Sequence, residues 1–433
     1  MESLVVRAVA LYAPILLLAA AWLARRPGSR ERTAALLASL WNLPALLALH
    51  VLATTLGWWH FEAEGGLLAG LPIDLYLGWT ILWGALPALA MSRLALPLLI
   101  AVAVLFDAVA MPGAQPVVRL GSTWLLGEAV GIALCLVPAQ LLARWTARDT
   151  HLAPRAVLQV VCFGGLLVGV LPTVVLTASQ SEVPDLRLWS TWQLSLAMQI
   201  LALPAILGLS AVQEFVQRGA GTPVPFDPPR RLVISGPYAY LANPMQASAW
   251  LVMLGLAVLL MQPLLAVAAL VDIAYGLGLA GWHERRQMVE RFGSAWLDYR
   301  STVRNWWPRW RPYQTPGREP DELFVASTCD ACSSLARWLV RRRPVGVRLV
   351  AAEDYPSGDL ERLTYRPADG SPIEQGVVAL GRALEHINLA WALVGWTVRL
   401  PLVRELVQLL VDASGGGPRR VPRVPYTAPR TWE

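Results

Sequence analysis

Two groups of residues have the types and spacing that chemistry requires. The first is split in two. The stretch Ser235-Gly236-Pro237-Tyr238-Ala239-Tyr240-Leu241-Ala242-Asn243-Pro244-Met245-Gln246 gathers turn formers, two phenols and two amides, with Arg231 just before it. Its complement, His283-Glu284-Arg285-Arg286 followed by Phe292-Gly293 and Tyr299, begins after two apolar segments. Polar clusters at the two ends of a hydrophobic hairpin return to the same side of a bilayer, where they can line one site. The second group is Cys329-Asp330-Ala331-Cys332. A C-x-x-C between a short strand and a helix is a redox pattern. The helix dipole there stabilises a thiolate, so Cys329 would attack and Cys332 resolve. The same spacing is half a zinc site, but no second Cys/His pair follows and His386 stands alone.

The elements that position these groups are mostly apolar. The chain has 433 residues, 55% hydrophobic and 15% charged, which places it among polytopic membrane proteins. Apolar runs at Ala8 to Leu23, Ala34 to Leu56, Leu67 to Ala90, Leu94 to Met111, Trp124 to Leu142, Ala156 to Ala178, Trp192 to Val212, Ala247 to Met261 and Leu264 to Ala280 predict about nine spans. All 36 basic residues are arginine, and they crowd alternate loops: Arg25 to Arg32, Arg93, Arg144 to Arg155, Arg218 to Arg231 and Arg285 to Arg311. Retention of arginine on the cytoplasmic side puts the N-terminus outside and both polar clusters and the C-terminal domain in the cytoplasm of a cell-membrane protein. Arginines in short loops, rather than on one stripe, speak for membrane lipids as partners and against nucleic acid. Cys135 and Cys162 fall inside apolar runs as small buried thiols.

Beyond Gly281, Met288, Phe292 and Trp296 recur at four-residue spacing, the pattern of an amphipathic helix. Residues 314–321 are a linker rich in proline and charge. Strands are expected at Leu323 to Ala326, Val345 to Val350 and Leu363 to Arg366, and helices at Ser333 to Arg341, Val377 to His386 and Leu402 to Val411. Residues 414–433, rich in Gly, Pro and Arg, are expected to be disordered. The predicted architecture is an α-helical polytopic membrane protein with a C-terminal α/β thioredoxin-like domain. It divides into N-terminal membrane helices (1–180), a membrane core (181–313), the linker and a C-x-x-C domain (322–413).

The run from Gly219 to Pro308 resembles the isoprenylcysteine carboxyl methyltransferase and phospholipid methyltransferase superfamily. The Gly236-Pro237-Tyr238 and Asn243-Pro244 turn comes first, then the hydrophobic hairpin, then Glu284, Met288, Phe292, Gly293 and Tyr299 in the family's order and spacing. The resemblance implies S-adenosyl-L-methionine as methyl donor and a lipophilic acceptor arriving from the bilayer. A sulfonium cation would be stabilised by a carboxylate such as Glu284 and by the aromatic faces of Tyr238 or Tyr240. Arg231 and the backbone of the Gly236 turn would take the donor's carboxylate. Pro237, Asn243, Pro244 and Gln246 complete the donor-binding stretch. Methyl transfer is an in-line displacement, so positioning dominates. Three positions depart from the family: Ala242 for Arg, Gln246 for Tyr and Arg285 for a second Glu.

The region around Cys329 and Cys332 is similar to the DCC family of thiol-disulfide oxidoreductase-like proteins. It shares the strand before the C-x-x-C, the Gly376-Val377-Val378-Ala379-Leu380 stretch and Leu400-Pro401-Leu402-Val403-Arg404, while Ala326-Ser327-Thr328 lacks the family's aspartates. A thiol or disulfide partner follows from that likeness. The alternative to a membrane methyltransferase is therefore a membrane-anchored thiol-disulfide oxidoreductase, its methyltransferase-like part an anchor or lipid-binding scaffold. Asp74, Asp107 and Glu128 stand inside apolar runs. They either reach water at a membrane face or mark a second site for an apolar substrate.

Overall fold

The computed structural model describes residues 2–181, 188–223, 227–275 and 281–421, without the side chains of Glu2, Tyr275 and residues 281–284. Among the described residues seven helices are long and apolar enough to cross a membrane: α1 (Ser3–Arg25), α2 (Ser29–Leu56), α3 (Ile73–Ala90), α4 (Leu96–Gly113), α5 (Trp124–Arg148), α6 (Leu152–Ala178) and α7 (Thr191–Gly219). The last two expected runs form the shorter apolar helices α8 (Pro244–Leu259) and α9 (Pro263–Tyr275). Leu16, Leu105, Val109 and Val271 point outward, as side chains facing lipid do.

Two compact units divide the chain: Met1–Gln193 with Thr222–Pro228 and Val252–Ala268, and Leu194–Gly221 with Pro229–Leu251 and Ala269–Glu433. In the first, α2 is the central helix. Its Ala34, Leu37 and Ala38 pack on Ala139, Leu142 and Cys162. Farther along, Leu46, Leu49 and Ala53 meet Trp58, Leu75, Trp83 and Leu136. Cys135 and Cys162 are fully buried. The arginine-bearing loops gather at one end of this unit, where Arg25 donates to Ser92 Oγ at 2.8 Å, Arg30 pairs with Asp149 at 3.0 Å and Arg144 donates to the Leu94 carbonyl at 2.6 Å.

The opposite end carries short strands that the hydropathy pattern does not reveal, β1 (Trp59–Phe61), β2 (Leu67–Leu68), β3 (Leu71–Pro72) and β4 (Val118–Leu120). β1 pairs antiparallel with β4, and β2 with β3. The run expected to be helical from Leu67 therefore starts its helix only at Ile73, because the two-residue turn at Ala69-Gly70 folds its first residues back. Asp74, in the first turn, accepts from the Leu75 amide at 2.9 Å and pairs with Arg7 at 2.5 Å. Asp107 and Glu128 behave differently. They are 1% and 7% exposed, so of the two alternatives for these acids, reaching water at a membrane face does not describe this pair.

In the second unit, helix α10 (Gly281–Thr302) follows the hairpin, with non-helical backbone at Gly293. The C-terminal region holds β5 (Asp321–Val325), α11 (Asp330–Arg341), β6 (Val347–Ala351), β7 (Thr364–Arg366), β8 (Glu374–Gln375), α12 (Val377–Glu385), α13 (Leu389–Arg399) and α14 (Val403–Val411). The sheet order is β6-β5-β7-β8, with β5 and β6 parallel and the other pairs antiparallel. Leu323 and Val325 of β5 pack on Ala336 and Leu339 of α11, and on Ala379 and Ala383 of α12. Helix α13 was not expected. Its capping signal, Asn388 accepting from the Trp391 amide at 3.2 Å, precedes a run with little polar periodicity. Residues 415–421 correct the expected disorder: Val421 pairs antiparallel with Leu360, and Arg420 meets Asp359 at 2.6 Å. Residues 422–433 lie outside those described, as do 182–187.

Candidate functional site

The first polar cluster is a 3-10 turn, Gly236–Ala239, pinned from three directions. From the membrane side, Glu214 in the last turns of α7 accepts from Ser235 Oγ at 2.6 Å. Gly236 has φ of +59°, and a Cβ there would lie 3.0 Å from the Glu214 carboxyl carbon, so only glycine serves both the backbone and the close approach. From α10, Tyr299 donates its hydroxyl to the Tyr238 carbonyl at 2.8 Å. From the segment after α10, the amides of Arg309 and Tyr313 donate to the carbonyls of Tyr240 and Ala239 at 3.0 and 2.8 Å, while the Ala242 amide donates to the Arg304 carbonyl at 2.9 Å. Pro244 opens α8, where a missing N–H costs nothing.

The two halves of the split motif therefore meet. Ala242 packs on Trp296, Tyr299 and Val303, with Leu232, Ile234, Met288 and Phe292 around them. The four-residue spacing of Met288, Phe292 and Trp296 is the face that α10 lays on this turn. Arg291 adds a bond to the Pro229 carbonyl at 2.8 Å.

Individual side chains are placed as follows. Tyr238 is 6% exposed and packs with Phe215, Val233 and Met245. Tyr240 is fully buried: its ring meets Trp396 edge-on at 5.7 Å and its hydroxyl donates to the Glu385 carbonyl at 2.7 Å. Its face is thus occupied by protein. Gly236, Pro237 and Pro244 are buried, Asn243 and Gln246 half-buried, and Arg231 exposed. Gln246 donates to the Asp272 carbonyl of α9 at 3.4 Å. The Glu284 side chain lies outside those described; its backbone is in the first turn of α10.

Sequence reasoning missed two acids here. Asp272, beside Gln246, has a buried Oδ2 with no protein hydrogen-bond partner among the described residues. A lone acid within the apolar run Leu264 to Ala280 was the available signal. Glu214 is the other. It is fully buried and pairs with Arg382 at 2.9 Å, Arg399 at 3.1 Å and Arg218 at 3.7 Å. Arg382 also pairs with Glu374 at 2.8 Å and Glu385 at 3.2 Å, and Arg399 pairs with Glu385. Burial works against the charge on Arg382, and the carboxylates of Glu214, Glu385 and Glu374 overcome it, holding its pKa well above the usual guanidinium range.

The second cluster sits where expected, at the start of α11. Cys329 is the N-cap residue; its Sγ accepts from the Cys332 amide at 3.4 Å and from the Cys332 thiol at 2.7 Å. Those bonds, the thiol first and the amide next, hold the Cys329 pKa below its ordinary value. Burial, then the neighbouring Cys329 sulfur, pushes Cys332 up to about 12. This is the asymmetry of an attacking and a resolving thiol. The carboxylate missing from Ala326-Ser327-Thr328 reaches that loop from elsewhere: Glu353, 1% exposed, accepts from the Ser327 amide at 2.9 Å and from the Thr328 amide and hydroxyl at 3.2 Å. No local pattern around Glu353 hints at this contact.

Residues 192–295 match the family model described as phospholipid methyltransferase, which supports the methyltransferase part of the resemblance. That match covers α7, the pinned turn, the hairpin and the first part of α10. No curated protein and no solved structure matches the chain.

Proposed function

We propose that the chain is an integral-membrane, S-adenosylmethionine-dependent methyltransferase acting on a lipophilic acceptor, with a fused thiol-disulfide module. The observation that carries this reading is the meeting of the two motif halves, Tyr299 on the Tyr238 carbonyl and Ala242 against Trp296, inside the stretch that matches the family model. The donor supplies an electrophilic methyl on a sulfonium cation. The residues present fit such a group, since Asp272 offers a buried carboxylate oxygen without a protein partner, a natural counterpart for a cation. Asp272, Gln246, Asn243 and Glu284 would hold the cationic part, and the exposed Arg231 the carboxylate. Tyr240 takes no part, its ring being spent on Trp396. Exclusion of water falls to the buried Pro237, Tyr238 and Pro244. The family description brings a phospholipid amine forward among acceptors that also include a carboxylate, a thiol or a phenol. The arginine distribution supports a cytoplasmic face for this site.

In the C-terminal module the order β5-α11-β6-β7-β8-α12, with the cysteines at the start of α11, supports a thioredoxin-like reading. A second reading, a membrane-tethered thiol-disulfide oxidoreductase, is favoured by the lowered Cys329 and raised Cys332. Transfer of labelled methyl from the donor into the organic phase of a membrane extract separates the two. The methyltransferase reading expects transfer by the purified full chain, its loss in Glu284→Ala and Asp272→Asn, and its retention in Cys329→Ser. Absence of both donor binding by calorimetry and label transfer would sink it.

A further inference from the structure

The first unit contains a pocket at the end away from the arginine loops. Trp59, Phe61, Tyr76, Trp79 and Trp83 line it together with aliphatic side chains. Three acceptors belong to it or back it. His50 is 7% exposed; its Nε2 meets the Ala69 carbonyl at 3.0 Å, so that nitrogen carries the proton and Nδ1 presents a lone pair, buried and unpartnered. Glu128, also 7% exposed, lines the pocket with Oε2 unpartnered. Behind it lies Asp107, 1% exposed, with neither carboxylate oxygen bonded to protein.

Among the described residues no ion pair reaches Asp107 or Glu128, because Arg7 is engaged by Asp74 and Arg119 by Glu62. Unpaired carboxylates in the apolar part of a membrane bundle are costly, and a cation relieves the cost. The walls select which cation. No group of three or more His, Cys, Asp or Glu among the described residues could hold a metal ion, whereas aromatic faces around a carboxylate attract an organic cation. The acceptors at His50 and Glu128 further call for a ligand that brings N–H donors.

We propose that this pocket binds a lipophilic ammonium ion, its N–H groups directed at Glu128 and His50 with Asp107 behind, and its apolar body held among Trp59, Tyr76 and Trp79.

The test uses the purified full chain in lipid nanodiscs and calorimetric titration with benzylammonium, set against ethylbenzene, the uncharged molecule of the same shape. Saturable binding of the ammonium at least tenfold tighter than of the hydrocarbon, weakened at least tenfold by Glu128→Gln, is the expected result. Equal binding of the two, binding of neither, or ammonium binding unchanged in a folded Glu128→Gln protein would each overturn the proposal. The comparison of the two ligands on the unmodified chain decides the matter even if that variant fails to fold.

Discussion

Replacing Glu214 with glutamine keeps the shape of the side chain and removes one charge from a buried set. Three carboxylates, Glu214, Glu374 and Glu385, face three guanidiniums, Arg218, Arg382 and Arg399, across 2.8 to 3.8 Å in most pairs, and Asp369 joins the rim through Arg218 at 3.2 Å. After the change Arg382 retains Glu374 and Glu385, but Arg399, 4% exposed, retains only Glu385. Arg382 and Arg399 then each lose one of their buried carboxylates, and Arg399 is left to share Glu385 with Arg382. Breaking a buried pair from one side costs about 3–5 kcal/mol, most of it the penalty of the stranded partner. Glu214→Gln should therefore lower the free energy of urea unfolding of the C-terminal region by about 3–5 kcal/mol. Tryptophan fluorescence reports it, since Trp396 lies beside Tyr240 in the same packing. Adding Arg399→Gln removes the stranded charge, so the double variant should recover about 1–3 kcal/mol relative to the sum of the single changes. Glu405→Gln, which breaks the exposed pair with Arg404, serves as a control and should leave the transition in place. A Glu214→Gln protein within about 1 kcal/mol of the unmodified one, or a strictly additive double variant, would refute the reasoning.

Two further outcomes follow from the geometry. With Cys329 lowered and Cys332 pushed up to about 12, alkylation by iodoacetamide should modify Cys329 alone near neutral pH. The thiolate is the reactive form, so the rate should fall only as pH drops through the lowered Cys329 value; Cys332→Ala, by removing the thiol donor, should move that fall upward in pH, as mass-resolved kinetics would show. Gly236→Ala imposes a left-handed conformation on a residue with a Cβ, at about 1–2 kcal/mol, and drives the Glu214 carboxyl away, so the unfolding transition should shift and donor binding weaken together.

Much of this was legible in the residues. The C-x-x-C was expected between a strand and a helix, and Asp321–Val325 and Asp330–Arg341 flank it. The positions Met288, Phe292, Trp296 and Tyr299 repeat at helical spacing, which is why their docking on the turn could be anticipated. What escaped was long-range or short. Glu214 reads as the edge of a solvated loop because Arg218 follows four residues on, and its main partners lie far down the chain in Arg382 and Arg399. Glu353 serves a loop to which no local pattern connects it. Strands of two or three residues, such as Leu67–Leu68 and Trp59–Phe61, are too brief for alternation to show. Tyr240 looked like a ligand contact because an aromatic beside a turn carries no mark of which face its neighbours will cover.

The carboxylate at the end of α7 also bears on how such a chain can be divided. A fragment stopping at the linker would leave Glu214 without Arg382 and Arg399, and the excised domain would carry two guanidiniums with one acid fewer. Neither piece would be a faithful miniature of its share of the whole. However the two parts first came to be joined, their present charges make them a single inheritable object, and swapping either for a homologue requires the matching residues to travel with it.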